Sequence, residues 1–254
     1  MSILDSATNV LRLFARSERD LTVTDIVAGL ELPKSSASRL LKQMMECGLL
    51  ERDAQTLAYR PSLLLLEVSH QVRAATPLLR RMEQELEALV HESGHTGYIS
   101  VLDETATSVV VLRVHHGAHP LRVVTWPGHR SPAISTSTGR ALLARLADTA
   151  IAERFAALAA KAAPASPKDP AALHASLARI RQEGWSLALN EALPGVGSLS
   201  CAVADPISGE TLAFCLSFPS AGSEQSGDIE ALAQRLTGHA RSIGRAIGDP
   251  FWNP

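Results

Sequence analysis

Positively charged and hydroxyl side chains are concentrated in one short segment near the N-terminus. Between Leu32 and Met45 the chain carries Lys34, Arg39 and Lys42 and no acidic residue. At roughly 100° per residue, a helix here would gather Arg39, Lys42 and two serines on one side, with its alanine, leucines and methionines on the other. Cations and hydroxyls are the groups that bond DNA phosphates and base edges. The segment therefore predicts a helix that packs with one face and contacts DNA with the other.

The flanking sequence supplies the elements that would position this helix. Ala7–Phe14 has the spacing of a buried helical face, and a second helix begins at Thr22, whose side chain can cap it. Pro33 suits the first position of the third helix, and Gly48 suits its end. Residues 49–60 predict a small hairpin around a polar turn. Three helices and a hairpin make a winged helix-turn-helix, which places its recognition helix in the major groove of DNA.

Individual roles follow from the side-chain types on this surface. We expect Arg39 to contact guanine O6 and N7, and Lys34 and Lys42 to contact phosphates of double-stranded operator DNA. The predicted DNA-binding residues are Thr22, Lys34, Ser35, Ser36, Ser38, Arg39, Lys42 and Arg52. Two other interpretations stay open: a three-helix bundle whose polar face is only solvated, and a winged helix that binds another protein as an adaptor.

The composition limits the classes of function. A formal net charge of -2 argues against nonspecific coating of nucleic acid, which needs many cations to neutralise phosphates, so any nucleic-acid site is local. The three cysteines are an odd number at wide spacings and favour free thiols. The first residues do not form a secretory signal, and the chain has no long apolar run. We therefore expect a cytoplasmic protein without a membrane partner.

A competing interpretation is that of an enzyme. His91-Glu92-Ser93-Gly94-His95 matches H-E-x-x-H, in which two histidines one helical turn apart bind zinc and the glutamate acts as a base. The motif needs a continuous helix, yet Gly94 interrupts the helical pattern and a run rich in β-branched residues follows. We therefore place a zinc hydrolase below a DNA-binding regulator, and predict no enzyme activity, catalytic residue, metal or cofactor.

The region after Gly94 has a different character. The runs 98–103, 108–115 and 121–126 are rich in residues that favour strands, and further helices and a hairpin follow. Between them, four hydroxyl residues at 135–138 immediately precede a predicted helix. The first amides of a helix are unpaired and attract anions, so a ligand carboxylate is one expected occupant of this position. Simple capping by the hydroxyls is the alternative.

Motifs along nearly the whole chain resemble one family. The segment LTVTDIVAGLELPKSSASRLLKQMMECGLLERD followed by YRPS is similar to the winged helix of the isocitrate-lyase-regulator (IclR) family. Downstream, SPAISTSTGRALLA and EGWSLALNEALPGVGSLSCAVADPISG resemble two further motifs of that family. The resemblance implies a transcriptional regulator with a GAF-like effector domain, assembled as a homodimer or as a homotetramer that is a dimer of dimers.

The resemblance also implies where an effector binds. Together with the helix start, the family's pocket positions give the predicted effector-binding residues Ser135, Thr136, Ser137, Thr138, Val196, Ser198, Cys215 and Ser217. The chain departs from the family pattern, with Ser198 where many members have cysteine, Arg140 in place of lysine, and Ala188-Leu189 in place of acidic residues. Loss of those acids makes the expected pocket rim more apolar, so no single member's ligand transfers. We expect a small organic acid, aromatic or otherwise, as the effector.

These observations predict an α+β fold in three parts. Residues 1–60 form the winged helix-turn-helix, 61–75 a linker helix, and 76–254 an antiparallel-sheet domain that binds the effector and oligomerises. A palindromic operator is read by two recognition helices, so we expect the subunits to pair. Helices between Pro61 and His91 are expected to join them. The expected function is sequence-specific transcriptional regulation, as a repressor controlled by the effector.

Overall fold

The structure, a computed structural model, describes residues 2–15, 17, 19–74, 77–119, 125–160, 169–220 and 226–253. The chain forms two compact units, Met1–Pro77 and Leu78–Pro254. Within the described ranges, no helix is both long and apolar enough to cross a membrane. The predicted α+β class, with a winged helix-turn-helix before an antiparallel-sheet domain, is confirmed.

The N-terminal unit begins with three helices and a hairpin. Its elements are α1 (Ile3–Phe14), α2 (Val23–Leu30), α3 (Lys34–Glu46), β1 (Leu50–Arg52), β2 (Tyr59–Pro61) and α4 (Leu63–Ala74). The first three helices share one core, in which Val10, Ile26 and Leu41 are fully buried. β1 and β2 pair antiparallel, and Tyr59 exchanges two backbone hydrogen bonds with Leu21, just before α2. The hairpin is thereby tied to the helical core.

The start of α3 differs by one residue from the prediction. Pro33 is the N-cap rather than the first helical residue, because its ψ of 141° is extended although its φ of -57° suits a helix. α2 ends at Glu31, whose φ of 52° is left-handed, so the chain turns sharply between the two helices. Gly48 follows α3 with a φ of 76°, as expected for a glycine that terminates a helix.

In the described residues, the C-terminal unit is a six-stranded antiparallel sheet with helices on both faces. Its elements are α5 (Pro77–Ser93), β3 (Thr96–Leu102), β4 (Ser108–His115), β5 (Arg130–Pro132), α6 (Ser137–Leu143), α7 (Asp148–Ala160), α8 (Pro170–Glu183), β6 (Ser186–Leu189), β7 (Val196–Ala204), β8 (Thr211–Pro219) and α9 (Ser226–Ile247). The strand order is β5-β4-β3-β8-β7-β6. Of the predicted run 121–126, residues 121–124 lie outside the described residues, and Thr125 and Trp126 are not in a strand.

Alternation along β7 and β8 sends neighbouring residues to opposite layers. Phe214 packs with α5 and α9, whereas Ala202 and Ala213 pack with α6, α7 and α8. The same alternation places Ser200 and Cys215, which are partners across the two strands, on the α6 face. Ser200 and Cys215 therefore lie near the start of α6, and Phe214 packs on the opposite side of the sheet.

Thr22 holds the start of α2, the helix that braces α3. Its hydroxyl donates to Asp25 Oδ2 at 2.7 Å and accepts from the Asp25 amide at 3.3 Å. Thr22→Ala removes this cap and is expected to lower the free energy of unfolding by about 1 kcal/mol. Urea denaturation measures the loss, with Thr24→Ala as the matched control because Thr24 is exposed in the same turn. Equal stability of the two variants would contradict the capping role.

Candidate functional site

The predicted cations and hydroxyls of α3 lie on its exposed face. Six predicted DNA-binding residues are exposed there: Lys34, Ser35, Ser36, Ser38, Arg39 and Lys42. The buried side of the helix carries Ala37, Leu40, Leu41 and Met44. Lys42 lies 3.7 Å from Glu46, but both side chains are more than half exposed, so this ion pair is weak and a phosphate can replace it. Among the residues described, neither Arg39 nor Lys34 forms an ion pair.

The other two predicted DNA-binding residues are placed differently. Thr22 is half-buried, and its hydroxyl is engaged in the cap of α2. Arg52 is exposed on β1, where its Nε donates to the Leu57 carbonyl at 3.2 Å and its guanidinium lies 5.3 Å from the centroid of the Tyr59 ring. These contacts orient Arg52 and leave its terminal nitrogens available to a phosphate. DNA contact by Thr22 and by Arg52 stays a prediction.

A cavity of about 310 Å³ opens on the α6 face of the C-terminal sheet. Its lining residues are Tyr98, Ser100, Val109, Val111, Thr125, Trp126, His129, Ser131, Thr136, Thr138, Ala188, Glu191, Ala192, Leu193, Val196, Ser198, Cys215 and Ser217. Six of the eight predicted effector-binding residues are among them, which leaves out Ser135 and Ser137. Both of these serines are buried, outside the lining. The structure thus brings most of the predicted effector site to one cavity.

Hydroxyl contacts hold the start of α6 against β7. Ser137 Oγ lies 2.8 Å from both Ser198 Oγ and Ser200 Oγ. Thr138 Oγ1 lies 3.0 Å from Ser200 Oγ. Ser137 therefore contributes to the site indirectly, because it contacts Ser198, which lines the cavity, and shares the Ser200 hydroxyl with Thr138, which also lines it.

The turn before α6 leaves no room for a side chain at Gly139. A Cβ built on this residue would lie 2.0 Å from the Ala133 carbonyl oxygen. Thr136 caps the helix, because its hydroxyl accepts from the Gly139 amide at 2.9 Å. Capping, which the sequence left as an alternative for the hydroxyl run, is therefore present. Anion binding at this position stays a prediction.

Apart from one ion pair, the described cavity wall carries few charges. Burial raises the pKa of Tyr98 and also that of Cys215, so both groups stay protonated near neutral pH. Glu191 supplies a carboxylate, and no lysine or arginine is among the described lining residues. Arg140 holds that carboxylate from outside the cavity with both terminal nitrogens, at 2.5 and 2.9 Å.

Sequence reasoning missed the aromatic and acidic part of the cavity. Tyr98 lies on β3 opposite Cys215 of β8. Trp126 and His129 precede β5, with ring centroids 4.8 Å apart, and Glu191 lies between β6 and β7. Alternation along β3 is a signal that puts Tyr98 and Ser100 on one face, but only the pairing of β3 with β8 turns that face toward the cavity. The loop residues have no comparable periodicity.

The His91–His95 segment does not form the helix that a zinc hydrolase motif requires. α5 ends at Ser93, and Gly94 has a left-handed φ of 71°. His95 lies beyond the helix, with its ring 5.7 Å from that of His119. In the part of the chain that the structure describes, no three His, Cys, Asp or Glu side chains are grouped to hold a metal ion. The two histidines of the motif are therefore not on consecutive turns of one helix.

Two family models match the two units. A model described as the IclR helix-turn-helix domain matches residues 4–54, and one described as the bacterial transcriptional regulator IclR C-terminal matches residues 70–245. The chain belongs to the IclR family. It is an IclR-type DNA-binding transcriptional regulator with an effector-binding domain, which confirms the predicted family and class of function.

Individual relatives and solved structures are similar to most of the chain. The HTH-type transcriptional regulator BhcR of Paracoccus denitrificans is 30% identical over 225 residues, which cover 83% of this chain and 74% of that protein. An IclR homolog from Microbacterium hydrocarbonoxydans, solved in complex with 4-hydroxybenzoate, has a TM-score of 0.80 at 20% identity and covers 97% and 99% of the two chains. The Agobacterium tumefaciens repressor BlcR has a TM-score of 0.57 at 25% identity and covers 97% of each chain.

Proposed function

We propose that this IclR-type regulator is a repressor that binds a palindromic operator as a symmetric homo-oligomer, and that a small organic acid in the cavity changes its affinity for DNA. The exposed face of α3 is the observation that carries the proposal, because it offers Lys34, Arg39 and several serine hydroxyls on a helix whose other side is buried, and its one acidic residue, Glu46, makes only a weak, exposed contact with Lys42. The likeness to the repressor BlcR supports the sign of regulation. The site of action is the cytoplasm, where bacterial DNA lies.

In this proposal α3 lies in the major groove. Arg39 presents two parallel donors to guanine O6 and N7, whereas Lys34 and Lys42 act as point charges on phosphates. The serines of the exposed face are short, so the helix backbone can approach the bases closely. Arg52, on the hairpin, adds a phosphate contact beside the groove.

Substitutions on α3 separate base contacts from phosphate contacts. On DNA selected from a random pool by the wild-type protein, Arg39→Ala is expected to weaken binding by about 1 to 3 kcal/mol and to relax the sequence preference at one position. Lys42→Ala is expected to weaken binding to all sequences alike and to reduce the salt slope by about 1. Fluorescence anisotropy measures both effects. Arg12→Ala, which removes an exposed cation of α1, is the matched control, and wild-type affinity in both α3 variants would overturn the placement of α3 on DNA.

The proposed oligomer uses α4. Four large apolar side chains of this helix are exposed: Leu63 (69%), Leu64 (42%), Leu66 (57%) and Val68 (53%). Several large apolar side chains left exposed on one helix are typical of a protein interface. α5, which the sequence also assigned to subunit contacts, buries Met82 and Leu86 in the core of its own unit. We therefore propose α4 alone, rather than the whole range Pro61–His91, as the subunit interface. It would join the two subunits of a homodimer, or those of each half of a dimer of dimers.

Loss of the apolar surface of α4 is expected to dissociate the oligomer. The double variant Leu63→Gln and Leu66→Gln should shift the mass toward the monomer in size-exclusion chromatography with light scattering. Affinity for a palindromic site should fall with it, because a single recognition helix covers only a half-site. Glu67→Gln, an exposed neighbour on α4, is the control. A wild-type protein that is monomeric at micromolar concentration and still binds DNA tightly would refute the proposed assembly.

The cavity suits a small organic acid. Val109, Val111 and Trp126 supply apolar wall, and Thr138 and Ser217 supply hydroxyls. Hydroxyl donors form charge-assisted hydrogen bonds with a carboxylate, while the apolar wall encloses the rest of the molecule. A structurally similar protein in complex with 4-hydroxybenzoate makes aromatic acids the first compounds to test. Such a ligand regulates only if it favours one DNA-binding state over the other.

Blocking the cavity is expected to abolish the response to the effector. A thermal-shift screen of aromatic and aliphatic acids on the full chain should identify compounds that raise the Tm, because a ligand that binds the folded state stabilises it. The same compounds should change DNA affinity. Ser217→Leu should remove both effects and leave DNA binding intact without ligand, whereas Ser242→Leu, at an exposed position on α9, should retain them. An effector whose affinity is untouched by Ser217→Leu and by Thr138→Val would place the pocket elsewhere.

A further inference from the structure

The Glu191 carboxylate has an unusual setting for a wall of a largely apolar cavity. Its side chain is 17% exposed and is gripped by Arg140, whose side chain is 4% exposed. Arg140 also donates to the Ile134 carbonyl at 3.1 Å and to the Leu187 carbonyl at 2.7 Å. All of these contacts anchor the guanidinium on the protein side of the cavity wall. The ion pair is thus built into the wall, with its negative partner facing the cavity.

This arrangement leaves acceptor capacity directed at a ligand. A carboxylate has about four lone-pair positions, and the two-pronged contact with Arg140 uses two of them. A hydroxyl or amine of a ligand can donate to the remaining positions. A ligand carboxylate at the same place would meet a like charge and find no donor, because the nitrogens of Arg140 are already engaged.

Another part of the cavity wall contains hydrogen-bond donors that lack an acceptor. The Trp126 indole nitrogen and the Thr125 hydroxyl are buried and have no hydrogen-bond partner among the described residues. A buried donor without an acceptor is costly, so an oxygen of the ligand that reaches these groups would be favoured. Glu191 differs from these groups, because it is an acceptor in the cavity wall that a donor group of the ligand can reach.

We propose that Glu191 is a specificity-determining residue, and that the effector is a hydroxy acid or an amino acid whose hydroxyl or amine donates to Glu191 while its carboxylate lies away from it. This inference rests on the proposed function, because it presumes that the cavity binds the effector. It adds a requirement that the cavity alone does not impose, namely a donor group on the acid.

Matched aromatic acids test the requirement on the full chain. The compounds are 4-hydroxybenzoate and 4-aminobenzoate, which carry a donor, and benzoate, 4-methoxybenzoate and terephthalate, which do not. Isothermal titration should give a Kd about 10- to 100-fold lower for the donor compounds, the range for a hydrogen bond to a charged group. Equal or tighter binding of benzoate or terephthalate to the wild-type protein overturns the inference without any variant.

Substitutions locate the preference at Glu191. The double variant Arg140→Met and Glu191→Leu removes both charges together, so neither is left buried alone. In this variant the preference for donor compounds should disappear. Leu193→Ala, which removes an apolar contact from the same loop, should weaken all five compounds alike. A preference that persists in the double variant overturns the role of Glu191.

An error about the effector cavity and an error about the role of Glu191 would give different binding results. If none of the five compounds binds, or if Ser217→Leu leaves their binding unchanged, the cavity is not a site for aromatic acids, and the inferred role of Glu191 toward them is wrong as well. If the compounds bind and Ser217→Leu abolishes binding, but donor and donor-free acids bind equally, the cavity stands and only the role of Glu191 is wrong.

Discussion

The cavity depends on the close contact of the start of α6 with the turn before it and with β7. Gly139 lies so near the Ala133 carbonyl oxygen that a Cβ cannot fit, and Ser137 reaches two hydroxyls of β7. Together these contacts fix where α6 starts and how close it lies to the sheet. A looser start would separate Thr138 from the strands and open the cavity to solvent. The hydroxyls of this region therefore hold α6 against the sheet, and the same contacts fix the positions of Ser198 and Thr138 in the cavity wall.

The ion pair between Arg140 and Glu191 is costly to build in this position. Both charges must leave water, and a pair of apolar residues of similar volume is often as stable or more stable. Stability is thus a weak reason for its presence. Position explains it better, because the pair joins α6 to the loop between β6 and β7, and both of these segments line the cavity. Arginine is also better suited than lysine to this contact, since only its planar fork can grip both carboxylate oxygens while donating to two carbonyls.

Local patterns were sufficient to predict the DNA-binding unit, whereas the cavity required information that local patterns lack. The two faces of α3 follow from residue spacing alone, and the structure differs there only in the placement of Pro33 at the N-cap. Ser198, Cys215 and Ser217 came from resemblance to the family. Tyr98 was missed because its neighbours depend on the register between β3 and β8, which are more than a hundred residues apart in sequence.

Charge explains why the exposed face of α3 and the proposed interface on α4 would act together on DNA. The chain has a net charge of -2, and the exposed face of α3 carries only Lys34, Arg39 and Lys42 as cations. Lys42 must also give up its contact with Glu46, at little cost because both groups are exposed. So few phosphate contacts give weak binding at physiological salt, since affinity scales with the number of phosphates that are neutralised. Two copies joined through the exposed leucines of α4 would double those contacts and add a second set of base contacts, which is how a modest helix gains both affinity and sequence preference.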